Sequence, residues 1–396
     1  MDAGAVTETR DAASPRMRTA LWLLSLLVAI TRWPALSKTL WDWDEALFCL
    51  ALRDYDVTRH HPHPPGFPLF IAAAKLIPLD PFHALQLVTA LSSLFVLPAM
   101  YFLARELGAS RFVGLSSGLL LAFFPNVWFF GGTAFSDVPS MVLGLLACAL
   151  LLRGRTSDVS LLAGCVVLGI AAGFRPQNLV IGCVPALLAA VRRPRTAFLG
   201  AMAGAGIIAA SYGTAAHLSG GWSAYRAAIA RHEEYIRTVD SFLAPLRPNL
   251  VQVADDFFFW PYRAVWINGA IVALAIAGVL RRRALLVLAI YGPFMLFAWL
   301  YLDFHSASRF SVAYMPLYAL LAAEGLPRKR GSVVLGALIL AMIIWTWPAL
   351  RTVHTTASPP VAAIEALPHG VVVYVDRRLG AHADLLTQGV ETREAG

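Results

Sequence analysis

Apolar residues in this chain come in long runs, separated by short polar breaks or by three longer polar stretches. A helix needs about 20 mostly apolar residues to cross a bilayer core, with a usual range of about 17–25. Eleven runs approach that length and predict helices near residues 19–37, 83–104, 112–130, 137–152, 160–174, 178–191, 197–217, 266–280, 284–302, 310–326 and 332–350. The fifth, sixth and eighth are short, as partial or tilted helices would be. The first run follows Arg10, Arg16 and Arg18 and ends in Thr31-Arg32-Trp33-Pro34. It lacks the small-x-small cleavage site of a secretory signal and is expected to stay as an uncleaved helix. The expected organisation is a tail at 1–18, a polytopic domain at 19–350 and a short outer tail at 351–396.

The polar breaks carry an orientation. Arg105 and Arg111, Arg153 and Arg155, Arg192, Arg193 and Arg195, Arg281 to Arg283, and Arg328 to Arg330 occur at alternate crossings. With the N-terminal arginines they make half of the 32 basic residues, crowded into short loops on one side. By the positive-inside rule that side is cytoplasmic. The N-terminus is then cytoplasmic and the C-terminus extracytoplasmic, in a plasma (inner) membrane. Three quarters of the 24 acidic residues fall on the outer side. The long stretches 38–82, 218–265 and 351–396 are also outside. The inner loops are too short for a nucleotide-binding domain, so the chemistry is expected on the outer face.

Composition agrees. The chain is 58% hydrophobic and 14% charged, with mean hydropathy +0.64. A soluble domain carries about 25% charged residues. A disordered chain, a nucleic-acid-binding domain and an ordinary cytosolic enzyme are poor fits. Cys49, Cys148, Cys165 and Cys183 form no CxxC pair and read as apolar packing.

Candidate chemistry lies mostly at the outer ends of the runs. Trp41-Asp42-Trp43-Asp44-Glu45 follows the first run. Tryptophan fits an interfacial belt, and Asp44 and Glu45 beside the membrane surface could act as a general base. The alternative is a helix start with Asp44 as its cap. Next comes Arg59-His60-His61-Pro62-His63-Pro64-Pro65-Gly66-Phe67-Pro68-Leu69-Phe70, a proline-stiffened turn followed by a short interfacial helix. His60, His61 and His63 are suited to a phosphate or sugar. No cofactor is certain; a divalent metal is left open, since histidine is the commonest metal ligand, although no second ligand cluster stands at a recognisable spacing. Arg175, at the outer end of the fifth run, has the fork of donors that a lipid phosphate takes. Asp255-Asp256 and the aromatics after them read as an interfacial segment. Gly114-x-x-x-Gly118 and Gly200-x-x-x-Gly204 lie within runs, where small residues let helices approach. Val371 to Val375 is strand-like.

A first span, an Asp-Glu pair just outside it and a His-Pro-Pro-Gly-Phe-Pro-Leu-Phe segment before the second span resemble the GT-C glycosyltransferases. Within that superfamily the chain is similar to the protein O-mannosyltransferases and the lipid A aminoarabinose transferases. The resemblance covers the topology of about residues 15–350, with its sharp motifs in 41–70. It implies an all-α integral membrane fold and transfer of a hexosyl or pentosyl group from a polyprenyl-phosphate-linked donor. The acceptor hydroxyl, on a glycan, lipid or protein, is attacked on the outer face, with inversion. The family's acidic pair falls on Asp44 and Glu45, with Asp44 as base. Asp137, at the outer start of the fourth span, matches a further acidic residue of the relatives. Arg309-Phe310 matches their basic–aromatic pair near the donor phosphate, with His305 beside it. The rival reading is a transporter or flippase of a lipid-linked sugar. That reading expects ionisable groups at the midplane and internal repeats, whereas the polar groups here collect at outer ends and no repeat is seen.

Overall fold

The computed structural model describes residues 15–241, 244–245, 249–255, 265–281, 283–367, 372–375 and 391–394. The first half runs through α1 (Pro15–Arg32), α2 (Trp43–Arg53), α3 (Pro68–Lys75), α4 (Pro81–Ser93), α5 (Val96–Glu106), α6 (Arg111–Phe123), α7 (Pro125–Phe130), α8 (Asp137–Arg153) and α9 (Asp158–Phe174). It continues with α10 (Asn178–Arg192), α11 (Pro194–Leu218), α12 (Trp222–Tyr235), α13 (Leu250–Ala254), α14 (Val265–Val279), α15 (Ala284–Tyr301), α16 (Ala307–Phe310), α17 (Met315–Gly325), α18 (Gly331–Thr355) and α19 (Pro359–Glu365). Two strands, β1 (Val372–Val375) and β2 (Glu391–Glu394), pair in parallel, so the strand expected in the tail is present.

Each of the eleven predicted runs holds helix. By length and apolarity, α11, α15 and α18 could each cross a membrane alone, and α4 with α5 could do so as a pair bent by 42°. The others are shorter, and α6 and α17 fall well short of their runs because local signals stop them. Pro125 has no N–H to continue α6 and disfavours helix at Phe124, so the chain turns there and restarts as α7. A helix of 11–17 residues is about 17–26 Å long at 1.5 Å per residue, short of the about 30 Å hydrocarbon core. Several α1 side chains that point outward are apolar, including Trp22, Leu23, Leu26, Leu27 and Ile30. An apolar face left open in this way, together with the apolar helices, marks an integral membrane protein.

Helix packing uses the small residues anticipated within the runs. A Cβ at Gly204 would stand 2.7 Å from the Cys165 carbonyl, and one at Gly118 would stand 2.9 Å from the Leu97 carbonyl. Both are closer than side chains permit, so α11 meets α9, and α6 meets α5, backbone to backbone. Cys49 and Cys148 are buried, Cys183 is exposed, and all four cysteines are free.

One end of the bundle is tied together by polar contacts. Ser37 N–H donates to the Gly132 carbonyl at 2.9 Å, and Lys38 N–H to the His354 carbonyl at 2.8 Å. Gln86 Nε2 on α4 donates to the carbonyls of Ser37 at 2.6 Å and Gly132 at 2.9 Å. Thr89 Oγ1 donates to the Phe135 carbonyl at 2.8 Å. The loop after α1, the segment before α8 and the end of α18 are therefore fixed on one another. They deliver Asp42, Asp44, Ser136 and Asp137 to one place.

Candidate active site

The site begins with the N-terminus of α2. The Asp42 carboxylate accepts the Asp44 N–H at 2.9 Å, and Glu45 reaches back to accept the Asp42 N–H at 3.3 Å. This is a capping box. The cap is thus Asp42, not Asp44, and the Asp44 side chain is left for other partners. Glu45 is fully buried. Its Oε2 also accepts the Trp41 N–H at 2.7 Å, and its Oε1 accepts the Ala134 N–H at 2.8 Å. Burial pushes this carboxyl up to about 7 against the pull of those donors. Both oxygens are directed at backbone, so Glu45 joins α2 to the segment before α8.

Asp44 faces a guanidinium. Arg309 Nη1 lies 2.6 Å from Asp44 Oδ2 and 3.7 Å from Asp42 Oδ1. Arg309 stands between the Phe135 and Phe310 rings, 4.8 Å from each centroid. Asn126 on α7 sets the backbone there by donating to the Ser308 carbonyl at 3.2 Å and to Ser311 Oγ at 2.8 Å. Burial alone would raise the Asp44 carboxyl. His63 and Arg309, with the hydrogen bond from Arg309, outweigh burial and hold it below the usual carboxylate range. Burial also works against the charge of Arg309, and Asp44, Asp137 and Asp42 more than restore it. His63 Nδ1 is 3.5 Å from Asp44 Oδ1. Burial lowers this imidazole to about 3 despite the nearby carboxylate. It is therefore neutral at pH 7, and the lasting opposite charge beside Asp44 is that of Arg309.

The second predicted arginine has a different setting. Arg175 donates from Nε to Ser136 Oγ and from Nη2 to Asp137 Oδ2, both at 2.8 Å, and lies over the Phe67 ring at 5.2 Å. The two predicted residues Asp137 and Arg175 are thus each other's partner, in a pair less than a tenth exposed on either side. Asn178 Nδ2 braces the junction through Ser140 Oγ at 2.8 Å.

The histidine turn closes over Asp44. Its backbone includes cis bonds at His61-Pro62 and Pro64-Pro65 and left-handed φ values at His60, Gly66 and Phe67. Gly66 has φ +103°, and a Cβ there would collide with the Tyr55 hydroxyl and with Val57 Cγ2. Tyr55 Oη donates to the Gly66 carbonyl at 2.8 Å, and Tyr225 Oη on α12 donates to the Pro65 carbonyl at 2.7 Å. The three histidines separate. His63 faces Asp44. His61 is buried, with its backbone paired to Asp56. His60 turns outward to His232 on α12, their ring centroids 6.2 Å apart. The side chain of His305 and residues Asp256 to Arg263 lie outside the described residues.

Sequence reading missed four contributors: Asp42, Ser136, Phe135 and His232. Only Asp42 had a signal, the Asp-x-x-Glu spacing of a capping box. Among the described residues, no three His, Cys, Asp or Glu side chains are grouped so as to hold a metal ion.

No family model matches the sequence, and no characterised protein matches it by sequence. Solved structures do match. The arabinofuranosyltransferase AftD from Mycobacteria aligns with 97% of this chain and 32% of its own, at TM-score 0.54 and 16% identity. ArnT from Cupriavidus metallidurans, bound to undecaprenyl phosphate, aligns over 90% of this chain and 66% of its own, at TM-score 0.53 and 15% identity. The Archaeoglobus fulgidus oligosaccharyltransferase, tethered with an acceptor peptide, aligns over 96% and 64%, at TM-score 0.52 and 11% identity. The chain spans about a third of the first of these and about two thirds of the other two. At 11–16% identity these likenesses give the fold: this chain folds as the arabinofuranosyltransferase, ArnT and the oligosaccharyltransferase do.

Proposed function

We propose that the protein is a membrane glycosyltransferase. It moves a sugar from a polyprenyl-phosphate-linked donor to an acceptor hydroxyl on the extracytoplasmic face. The observation that carries the reading is the meeting of Asp44, Arg309 and His63 beneath the histidine turn. The likeness to an enzyme bound to undecaprenyl phosphate supports the donor class. The eleven helical segments are read as eleven crossings, with the N-terminus inside.

A lipid phosphate is already a good leaving group. The site must supply a base for the acceptor hydroxyl and positive charge for the departing phosphate. Asp44 is the base: it is ionised at neutral pH and stands in the first turn of a rigidly capped helix. The acceptor oxygen bonds to the anomeric carbon, its proton passes to Asp44, and the carbon–oxygen bond to phosphate breaks with its electron pair going to phosphate. One base without a nucleophile partner gives a single displacement, hence inversion. Arg309 is the phosphate ligand, because the same guanidinium that screens Asp44 can follow an incoming phosphate. Arg175, held by Asp137 and Ser136, braces the floor. Glu45 positions α2.

The test uses proteoliposomes and a panel of radiolabelled polyprenyl-phosphate sugars. Transfer of label to an acceptor, with inversion at the anomeric carbon, supports the reading. Movement of intact donor between leaflets without transfer would replace it with a flippase.

A further inference from the structure

A proton placed on Asp44 cannot rest there, because Arg309 at 2.6 Å favours the ionised form. A group placed to accept it is His63, whose buried Nδ1 has no hydrogen-bond partner and lies 3.5 Å from Asp44 Oδ1. His63 is not a dead end. Its ring centroid is 5.8 Å from that of His232, which is 6.2 Å from that of His60. His63 is nearly buried, and His232 and His60 are half-exposed.

We propose that His63, His232 and His60 form a relay that carries the acceptor's proton from Asp44 to outer solvent. The inference rests on Asp44 being the base. Asp44 gives the proton to His63 Nδ1 and becomes a carboxylate again. His63 releases a proton from Nε2 toward His232, His232 passes one toward His60, and His60 yields it to water. One water molecule bridges ring nitrogens at such separations. No electrons move, and the proton lost by the acceptor is the proton delivered to solvent.

The arrangement of the rings gives the relay its direction, since they lead from Asp44 through His63 and His232 to the partly exposed His60. His63 faces Asp44, Arg309, Arg175 and His232, and burial lowers its proton affinity to about 3, so it does not keep the proton. His232 faces His60 and Asp44 and is also lowered, by burial first. The relay also explains why α12, otherwise a polar helix, is fastened over the turn by the Tyr225–Pro65 hydrogen bond, with Ser219 at the end of α11, just before it, accepting Val57 N–H at 3.0 Å. These contacts fix the distance between His63 and His232.

The experiment compares wild type, His232→Ala and His60→Gln in proteoliposomes with undecaprenyl-phosphate-linked sugar, with and without added imidazole. His232 is on a surface helix, so the variant folds; a thermal midpoint checks this. The relay predicts that His232→Ala loses about tenfold or more in kcat, keeps the donor KM, and regains rate as imidazole concentration rises. Wild type is indifferent to imidazole, and His60→Gln shows a smaller loss of the same kind. A His232→Ala kcat that is unchanged, or reduced and indifferent to imidazole, would overturn the relay while leaving Asp44 as base. Absence of transfer by wild type overturns the relay and the transferase reading together.

Discussion

Arg309→Gln separates the two duties assigned to this guanidinium. The substitution removes the charge-assisted hydrogen bond that reaches Asp44 Oδ2 at 2.6 Å. The Asp42 contact, at 3.7 Å, is too long to count as a second hydrogen bond. Hydrogen bonds to charged groups are worth about 1.5–3 kcal/mol. The Asp44 and Arg309 side chains are 19% and 8% exposed, so solvent screening takes little of this away. One pKa unit is about 1.36 kcal/mol, so Asp44 should rise by about one to two units. The sign follows from its role: Asp44 must be ionised to take the acceptor's proton, and the rate falls as pH drops through its pKa. Wild-type kcat/KM for donor, which reports the free enzyme, should stay level into the acid range, with its acidic limb below that of an ordinary carboxylate. The variant's limb should appear about one to two units higher. Loss of positive charge at the phosphate should also lower kcat at neutral pH by about 10²–10³-fold. Coinciding acidic limbs in the two proteins, measured as kcat/KM against pH in proteoliposomes, would refute the claim that Arg309 sets the state of Asp44.

Glu45→Gln should destabilise the protein by about 1–3 kcal/mol, because an amide nitrogen cannot accept the N–H groups that the carboxylate now satisfies. The folded Glu45 carboxyl is raised to about 7 from an unfolded value of about 4.3, so wild-type stability is greatest below the unfolded value and falls as pH rises through 7. Thermal midpoints in detergent should fall across that window in wild type, and by less in Glu45→Gln. Gly66→Ala places a Cβ against Tyr55 and Val57 at a left-handed φ, and should lower the midpoint by the equivalent of about 1–2 kcal/mol and reduce transfer. Asp137→Ala strands the buried Arg175 and should cost about 3–5 kcal/mol, whereas the double variant Asp137→Leu/Arg175→Met should recover much of that stability; equal losses in both would show that the pair is not the cause.

Much of this arrangement was legible in the sequence because the bilayer imposes simple rules. Long apolar runs and alternating arginine clusters gave the order of helices and placed Asp44, Asp137, Arg175 and Arg309 on one side. Helix boundaries were less legible, since a proline such as Pro125 cuts a run that hydrophobicity alone joins. Pairing was illegible. Arg175 and Arg309 look alike as arginines at helix ends, yet one is taken up by Asp137 and the other faces Asp44; only packing distinguishes them. The adjacent Asp44 and Glu45 looked equivalent too. Their roles diverge because a helix turns by about 100° per residue, which sends Asp44 toward Arg309 and Glu45 toward the backbone of Trp41 and Ala134. His232 gave no signal, being one histidine among the charges of a polar helix, and became visible only where α12 lies across the histidine turn.

The central claim is that Asp44 performs chemistry and does not merely hold the donor. The most direct test is single-turnover transfer from undecaprenyl-phosphate-linked sugar by wild type and by Asp44→Asn, with donor binding measured on the same preparations. The account predicts that Asn at this position still binds donor, since Arg309 is released from its ion pair, but transfers at least about 10²-fold more slowly. Equal transfer rates in the two proteins would remove Asp44 from the mechanism.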